Sequence, residues 1–323
     1  MRLSSSSPSS LSSQEQSRLP QDALAERQAL RRTRLFFQRN LGGYLFLLPA
    51  LVIFAFFVWY PLVLGFTISF QNVDMINPAV WVGWTNYRRV FSDPLFGVAW
   101  RNTLAFTGYA LLFGYFVPIV LALLINEMRH GKGLFRLAFY LPVMLPPIVV
   151  AFLWLWLYNA DSGLINALLH LVHLPGGLWL ENQGTALPAL VVVATWGAAG
   201  STMLIYLAAL QGVPASLYEA AEIDGSNLWQ RIWHVTLPTI RPIMLLLLVL
   251  QIIATMQVFT EPFTITGGGP ANATMTVLIL IYNYTFQNAD FGEASALGVI
   301  LFLVLAVFAL IYMRMTSRLM QGD

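Results

Sequence analysis

Charge is scarce in this chain. Of 323 residues only 10% are Asp, Glu, Lys or Arg, whereas 58% are hydrophobic. Soluble domains carry roughly 25% charge, so this composition belongs in a membrane. Cysteine is absent, which excludes a disulfide framework and any thiolate metal site. Lysine occurs once, as Lys132 in the run HGKG with no Ser or Thr following. The chain therefore lacks a phosphate-binding loop of the form G-x-x-x-x-G-K-[ST] and has no ATPase motor of its own. The long apolar runs contain essentially no ionisable residue, and Glu127, Glu261 and Glu293 fall at their ends. Proton- or sodium-coupled carriers usually bury such groups, and a membrane enzyme would need an acid/base or metal cluster there. His170 and His173 stand three apart with no nearby carboxylate, a pair read as interfacial rather than metal-binding. No metal, no catalytic residue and no nucleic-acid partner is expected.

What is present is a set of long apolar segments. A membrane helix needs about 20 predominantly apolar residues. Six stretches qualify: about 44–69, 103–126, 137–158, 186–209, 243–262 and 294–313. A further apolar run at 275–286, MTVLILIYNYTF, has twelve residues. That is a length of interfacial or re-entrant segments, and the run is expected on the outer surface without crossing. The expected fold is an all-α polytopic membrane protein with six transmembrane helices. Residues 1–34 are Ser-rich and then basic, and are read as a disordered cytoplasmic tail on a transmembrane domain at 35–323. Fourteen of the 17 basic residues fall in the tail, the second and fourth loops and the C-terminus, while Arg88, Arg89 and Arg101 alone fall in the loops of the other side. Basic residues concentrate on the cytoplasmic side, so both termini are expected inside.

One polar insert interrupts the apolar pattern. Residues 219–238 read EAAEIDGSNLWQRIWHVTLP, within a loop at about 211–241 that the charge count puts on the cytoplasmic side. Ser216 followed by Glu219 has the spacing of a capping box. Gly225 suits the left-handed stop at a helix end. A second helix starting at Ser226 or Asn227 is expected to run to Leu237-Pro238, making a hairpin parallel to the membrane. Taken together, Glu219-Ala220-Ala221, then Asp224-Gly225, then Val235-Thr236-Leu237-Pro238 resemble the cytoplasmic EAA loop of ABC importer permeases. Val235 departs from the usual Ile. The segments at 101–107, 133–158, 195–214 and 258–274, the last containing TGGGP, resemble the carbohydrate-uptake branch of that family, of the maltose-type first permease subunit.

The resemblance implies the type I ABC importer permease fold and a subunit of the bacterial or archaeal plasma (inner) membrane. It implies a second permease subunit forming a heterodimer, two ATPase subunits using ATP and Mg, and an external solute-binding protein. No cofactor would be bound by this chain. Glu219 would face the ATPase, with Gly225 giving the sharp turn. The loop at 71–100 is only about 30 residues, too short for the large outer domain of some maltose permeases.

A small-molecule sugar needs hydroxyl partners and apolar ring faces, and binding sites for such solutes are a few polar groups in aromatic walls. Trp196 and Ser201 in the fourth apolar run and Gln251, Thr255 and Gln257 in the fifth are the candidate solute pathway. Interhelical hydrogen bonding is the alternative job for each of them. Pro142, Pro146 and Pro147 remove N–H donors from the third run and are expected to kink it. A permease for a non-sugar solute such as a phosphorylated polyol would want cationic residues at the cavity or its outer mouth. An energy-independent carrier would work when expressed alone.

Overall fold

The computed structural model describes residue 43, residues 45–74 and residues 76–320. The expected tail at 1–34 and its arginines lie outside the described residues, as do 321–323. Two compact units divide the chain, Met1–Leu64 and Gly65–Asp323. In the first, the described residues belong to one helix, α1 (Leu45–Ile68), whose 24 residues are apolar enough to cross a membrane.

In the second unit, a two-residue antiparallel ladder pairs β1 (Gln71–Asn72) with β2 (Val80–Trp81) and leads into α2 (Thr85–Ser92). This ladder is a small exception to an otherwise helical chain. The long helix α3 (Pro94–Glu127) follows. Its start is specified locally: Asp93 accepts a hydrogen bond from the Leu95 N–H at 2.7 Å, and Pro94 occupies the first turn. Proline has no N–H to leave unpaired there, and its φ already suits a helix. A π-helical turn at Ala110–Gly114 widens α3 midway.

The third expected crossing is broken. α4 (Lys132–Met144) and α5 (Pro147–Leu157) meet at 101°. Pro146 and Pro147 supply no N–H, and Leu145 and Pro146 between the halves are extended, with ψ of 140° and 138°. The prolines thus kink the segment as expected, but far more sharply than a bend within one rod. α6 (Leu164–Leu171) precedes α7 (Gln183–Gln211), which Asn182 caps by accepting from the Gly184 N–H at 2.7 Å. Next come α8 (Ala215–Ile223), α9 (Leu228–Met256), α10 (Val277–Gln287) and α11 (Phe291–Met320).

Five described helices are long and apolar enough to cross a bilayer, and the α4–α5 pair makes a sixth if its halves form one span. The bounds shift from expectation mainly at the fifth crossing. It begins at Leu228 rather than near 243, because the second helix of the polar insert does not stop at Leu237-Pro238. A π-helical turn at Ile232–Thr236 precedes the proline, with Leu237 N–H bonded back to the Ile232 carbonyl. The wider turn accommodates the Pro238 ring, and one continuous helix results.

Three apolar clusters hold the second unit together. α3 and α7 pack through Ile119, Ala122 and Ile125 against Met203, Tyr206, Leu207 and Leu210. Towards the other ends of those helices, Phe106 and Ala110 meet Leu190 and Val193 together with Val150, Ala151 and Trp154 of α5. The third cluster joins α2, α10 and α11. There Val277, Ile279 and Leu280 are buried, so one side of this short run is a core element. Its eleven residues remain too short to span.

The closest backbone approach is at Gly200 of α7. A Cβ built there would stand 2.2 Å from the Phe139 carbonyl oxygen and 2.8 Å from the Tyr140 Cα. Backbone cannot yield as a flexible side chain does. Gly200→Val should therefore lower stability by at least about 1–3 kcal/mol, the usual cost of overpacking. A lower thermal midpoint of the detergent-purified protein, with Gly197→Ala as the unaffected control, is the expected reading. The control is apt because nothing lies within 4 Å of a Cβ at Gly197.

Candidate functional site

Two features of the second unit have the makings of a site. The first is the hairpin of α8 and the start of α9. Gly225 has φ +72°. The Gly225 N–H donates to the Glu222 carbonyl and the Ser226 N–H to the Ala221 carbonyl, both at 3.0 Å. These are the two bonds of a Schellman stop, which need a left-handed residue between them. Asn227 then caps the next helix in a reciprocal box: its side chain accepts from the Gln230 N–H at 2.9 Å, and Gln230 accepts from the Asn227 N–H at 2.8 Å. The capping box is therefore at Asn227, not at Ser216. Pro214 occupies the N-cap position of α8 with φ −58° and makes no side-chain cap. Ser216 consequently lies inside the first turn, where it cannot serve as the cap.

Arg231 pairs with Glu222 across the hairpin, and the Tyr218 and Thr236 hydroxyls meet at 3.1 Å. Glu219, Ala220, Asp224 and Pro238 are exposed, while Ala221, Val235 and Leu237 are half-buried. The same hairpin exposes large apolar side chains: Ile223 is 88% exposed, Trp229 70% and Trp233 63%.

The second feature is a cavity of about 250 Å³ between α3, α7 and the end of α9. Gln251, Thr255 and Gln257 of the candidate pathway line it, together with Thr260. Thr255 donates to the Gln251 carbonyl at 2.8 Å, and Gln257 spends one N–H on the Ile253 carbonyl at 3.2 Å. The Gln251 amide makes no hydrogen bond to any described residue, so both its ends are available to a solute. Gly114, in the π-helical turn of α3, leaves room for it: a Cβ there would lie 2.8 Å from the Thr195 Oγ1 and 3.4 Å from the Gln251 Nε2.

Trp196 and Ser201 do not line the cavity. Trp196 packs edge-on against Trp154 with ring centres 5.8 Å apart, and Ser201 donates to the Ala198 carbonyl of its own helix at 2.9 Å. The cavity face of α7 is instead Thr195, Ala198, Ala199 and Thr202, an i, i+3, i+4, i+7 set. Sequence reasoning finds the helix but picks a different face of it. A second cavity of about 240 Å³ shares Ala194, Ala198, Thr260 and Glu261 with the first and is walled by Pro142, Leu145 and Pro147 at the break between α4 and α5. Glu261, a segment end in the sequence, thus lines both. Neither cavity has a basic side chain in its wall. Among the described residues, no three His, Asp or Glu side chains gather in a group that could hold a metal ion.

Residues 114–322 match the family model described as binding-protein-dependent transport system inner membrane component. The chain belongs to that family. The permease is 32% identical over 273 residues to the trehalose/maltose transport system permease protein MalF of Thermococcus litoralis, covering 84% of this chain and 92% of that one. Its fold matches the crystal structure of a bacterial ABC transporter involved in import of the acidic polysaccharide alginate, with TM-score 0.78 and 29% identity over 89% of this chain and 99% of that one. A second match is the bacterial alginate transporter in complex with an alginate pentasaccharide-bound periplasmic protein, at TM-score 0.76 and 28% identity, covering 88% and 96%. The fold of this permease is that of type I ABC importer permeases.

The geometry separates the candidate pathway residues. Gln251→Ala should leave assembly intact, since the Gln251 amide has no hydrogen bond to a described residue to lose, and even an interhelical one in a membrane is worth only about 0.6 kcal/mol on average. Uptake should fall about five- to hundredfold, the equivalent of the roughly 1–3 kcal/mol for a buried hydroxyl deprived of its partner. Ser201→Ala, whose hydroxyl serves its own helix, should transport at the parental rate. Uptake per assembled complex measures both.

Proposed function

We propose that this permease forms half of the transmembrane pathway of an ATP-driven importer for a sugar or sugar-like solute. The observation that carries the reading is the cavity wall. Gln251, Thr255, Gln257, Thr195 and Thr202 offer amides and hydroxyls with no cation among them, the chemistry of a neutral polyhydroxylated solute rather than a phosphorylated one. The functions of its relatives, trehalose/maltose transport and alginate import, support the sugar class. An external binding protein delivers the solute, as the periplasmic protein in the matching alginate complex supports.

A second permease subunit completes the pathway as a heterodimer, and two ATPase subunits hydrolyse ATP with Mg. This chain binds no cofactor. Both termini face the cytoplasm, and with them the hairpin. It presents Glu219 and Asp224 with the exposed Trp229 and Trp233 to an ATPase subunit, and this contact couples hydrolysis to movement of α9. The reconstituted four-component system should accumulate a labelled saccharide only with ATP and the binding protein present. This chain alone should neither hydrolyse ATP nor accumulate solute, and ATPase activity in a pure preparation would overturn the assignment.

Gly225 supplies a sharper test. A Cβ at this position meets nothing within 4 Å, so Gly225→Val introduces backbone strain of on the order of 1–2 kcal/mol without a clash. The variant should assemble yet lose most ATP-driven uptake. Parental uptake by a normally assembled Gly225→Val complex would show that the turn does not couple.

A further inference from the structure

Glu261 stands apart from every other side chain in the two cavities. Among the described residues it is the only ionisable one in either wall, and it lies where the two cavities meet. It lies between the end of α9 at Met256 and a π-helical turn at Pro262–Thr266, and it is partly buried. Among the described residues the ion pairs are Arg89–Glu293 and Arg231–Glu222, so no described cation neutralises it. Buried carboxylates are ordinarily paired with a cation. This one is left unpaired beside space large enough for a sugar ring.

Resting on the reading of the cavity as a solute pathway, we infer that Glu261 selects solutes by charge: it binds neutral saccharides through paired hydroxyls and rejects anionic ones. The chemistry follows from what an ionised carboxylate can do. It has two oxygens and only accepts hydrogen bonds, so two neighbouring ring hydroxyls can each donate to it in bonds stronger than those between neutral groups. A uronate, sulfonate or phosphate in the same place would set a second negative charge a few ångströms away in a site of low dielectric. That disfavours occupancy by on the order of tenfold or more. A solute taken up by this permease is therefore of a different charge class from alginate, the acidic polysaccharide imported by the transporter of matching fold.

The test uses the complete transporter, this chain with its partner permease and ATPase subunits, in lipid nanodiscs. Binding of maltose, trehalose and a uronate trisaccharide is measured calorimetrically for the parental protein, Glu261→Gln and Glu261→Lys, each checked for co-purification of all subunits. The parental transporter should bind a neutral probe and not the uronate. Glu261→Gln, which keeps the shape and removes the charge, should weaken neutral binding about tenfold and admit the uronate. Glu261→Lys should favour the uronate; should it fail to assemble, Glu261→Gln carries the test alone. Uronate binding to the parental protein as tight as neutral binding, or unchanged selectivity in Glu261→Gln, would overturn the inference. So would failure of every probe to bind the parental protein. In that case ATP-driven uptake of labelled maltose or trehalose by the same complex, reconstituted in sealed vesicles with its binding protein, would leave the importer reading standing, and its absence would remove that too.

Discussion

A backbone passing through hydrocarbon has no water to bond to, so every break in its helices must be satisfied internally or open onto a cavity. This constraint orders the second unit. Besides the π-helical turns at Ile232–Thr236 and Asn283–Gln287, which line neither cavity, its helices are interrupted by the π-helical turn in α3 at Ala110–Gly114, the proline break between α4 and α5, and the π-helical turn at Pro262–Thr266. The last three contribute residues to the cavities: Ala110 and Gly114 to one, Pro142, Leu145 and Pro147 to the other, with Ile265 beside them. Irregular backbone is tolerated where it lines space a solute can occupy. Where the helices are regular, they pack in apolar clusters with little polar content.

Much of this was legible because the membrane imposes length and the hairpin imposes spacing. The apolar runs marked the long helices, and the prolines at 142, 146 and 147 marked the break. Gly225 stands in the sequence where a left-handed stop belongs, and its φ is positive. What escaped notice depended on rotation about a helix axis rather than on sequence position. Trp196 and Thr195 are adjacent in the chain yet about 100° apart on α7, and a helix apolar almost all round has no periodicity to tell which faces inward. The second helix starts at Asn227, one of the two expected positions, but the capping box expected at Ser216-Glu219, which has the right spacing, does not form there; the first helix starts at Ala215 behind Pro214, two residues too early for Ser216 to cap it. Leu237-Pro238 looked like a terminus because a proline usually ends a helix; a widened turn before it removes that need.

The hairpin and the cavities answer different demands with different chemistry. The hairpin is bonded by a Schellman stop, a capping box and one ion pair, which hold its backbone firmly, yet it leaves tryptophans in the open. That combination of a stiff frame and unsatisfied apolar surface suits a partner protein. The cavity reverses it, with small side chains against one another and a few polar groups whose bonding is incomplete. On the proposed reading, selectivity for a small molecule belongs to the second and grip to the first.

The continuity of α9 joins the two. Because the helix runs unbroken from Leu228 to Met256, Trp229 at the hairpin and Gln251 at the cavity are carried on one rod, about 33 Å apart at 1.5 Å per residue. Had the hairpin ended at Leu237-Pro238, a joint would have separated them, and motion at one end could have been absorbed there. As built, the helix acts as a connecting rod. On the proposed reading a shift of the hairpin along the axis is passed towards Gln251, with the π-helical turn at Ile232–Thr236 and the missing ladder bond at Pro242 as the places where the rod can give.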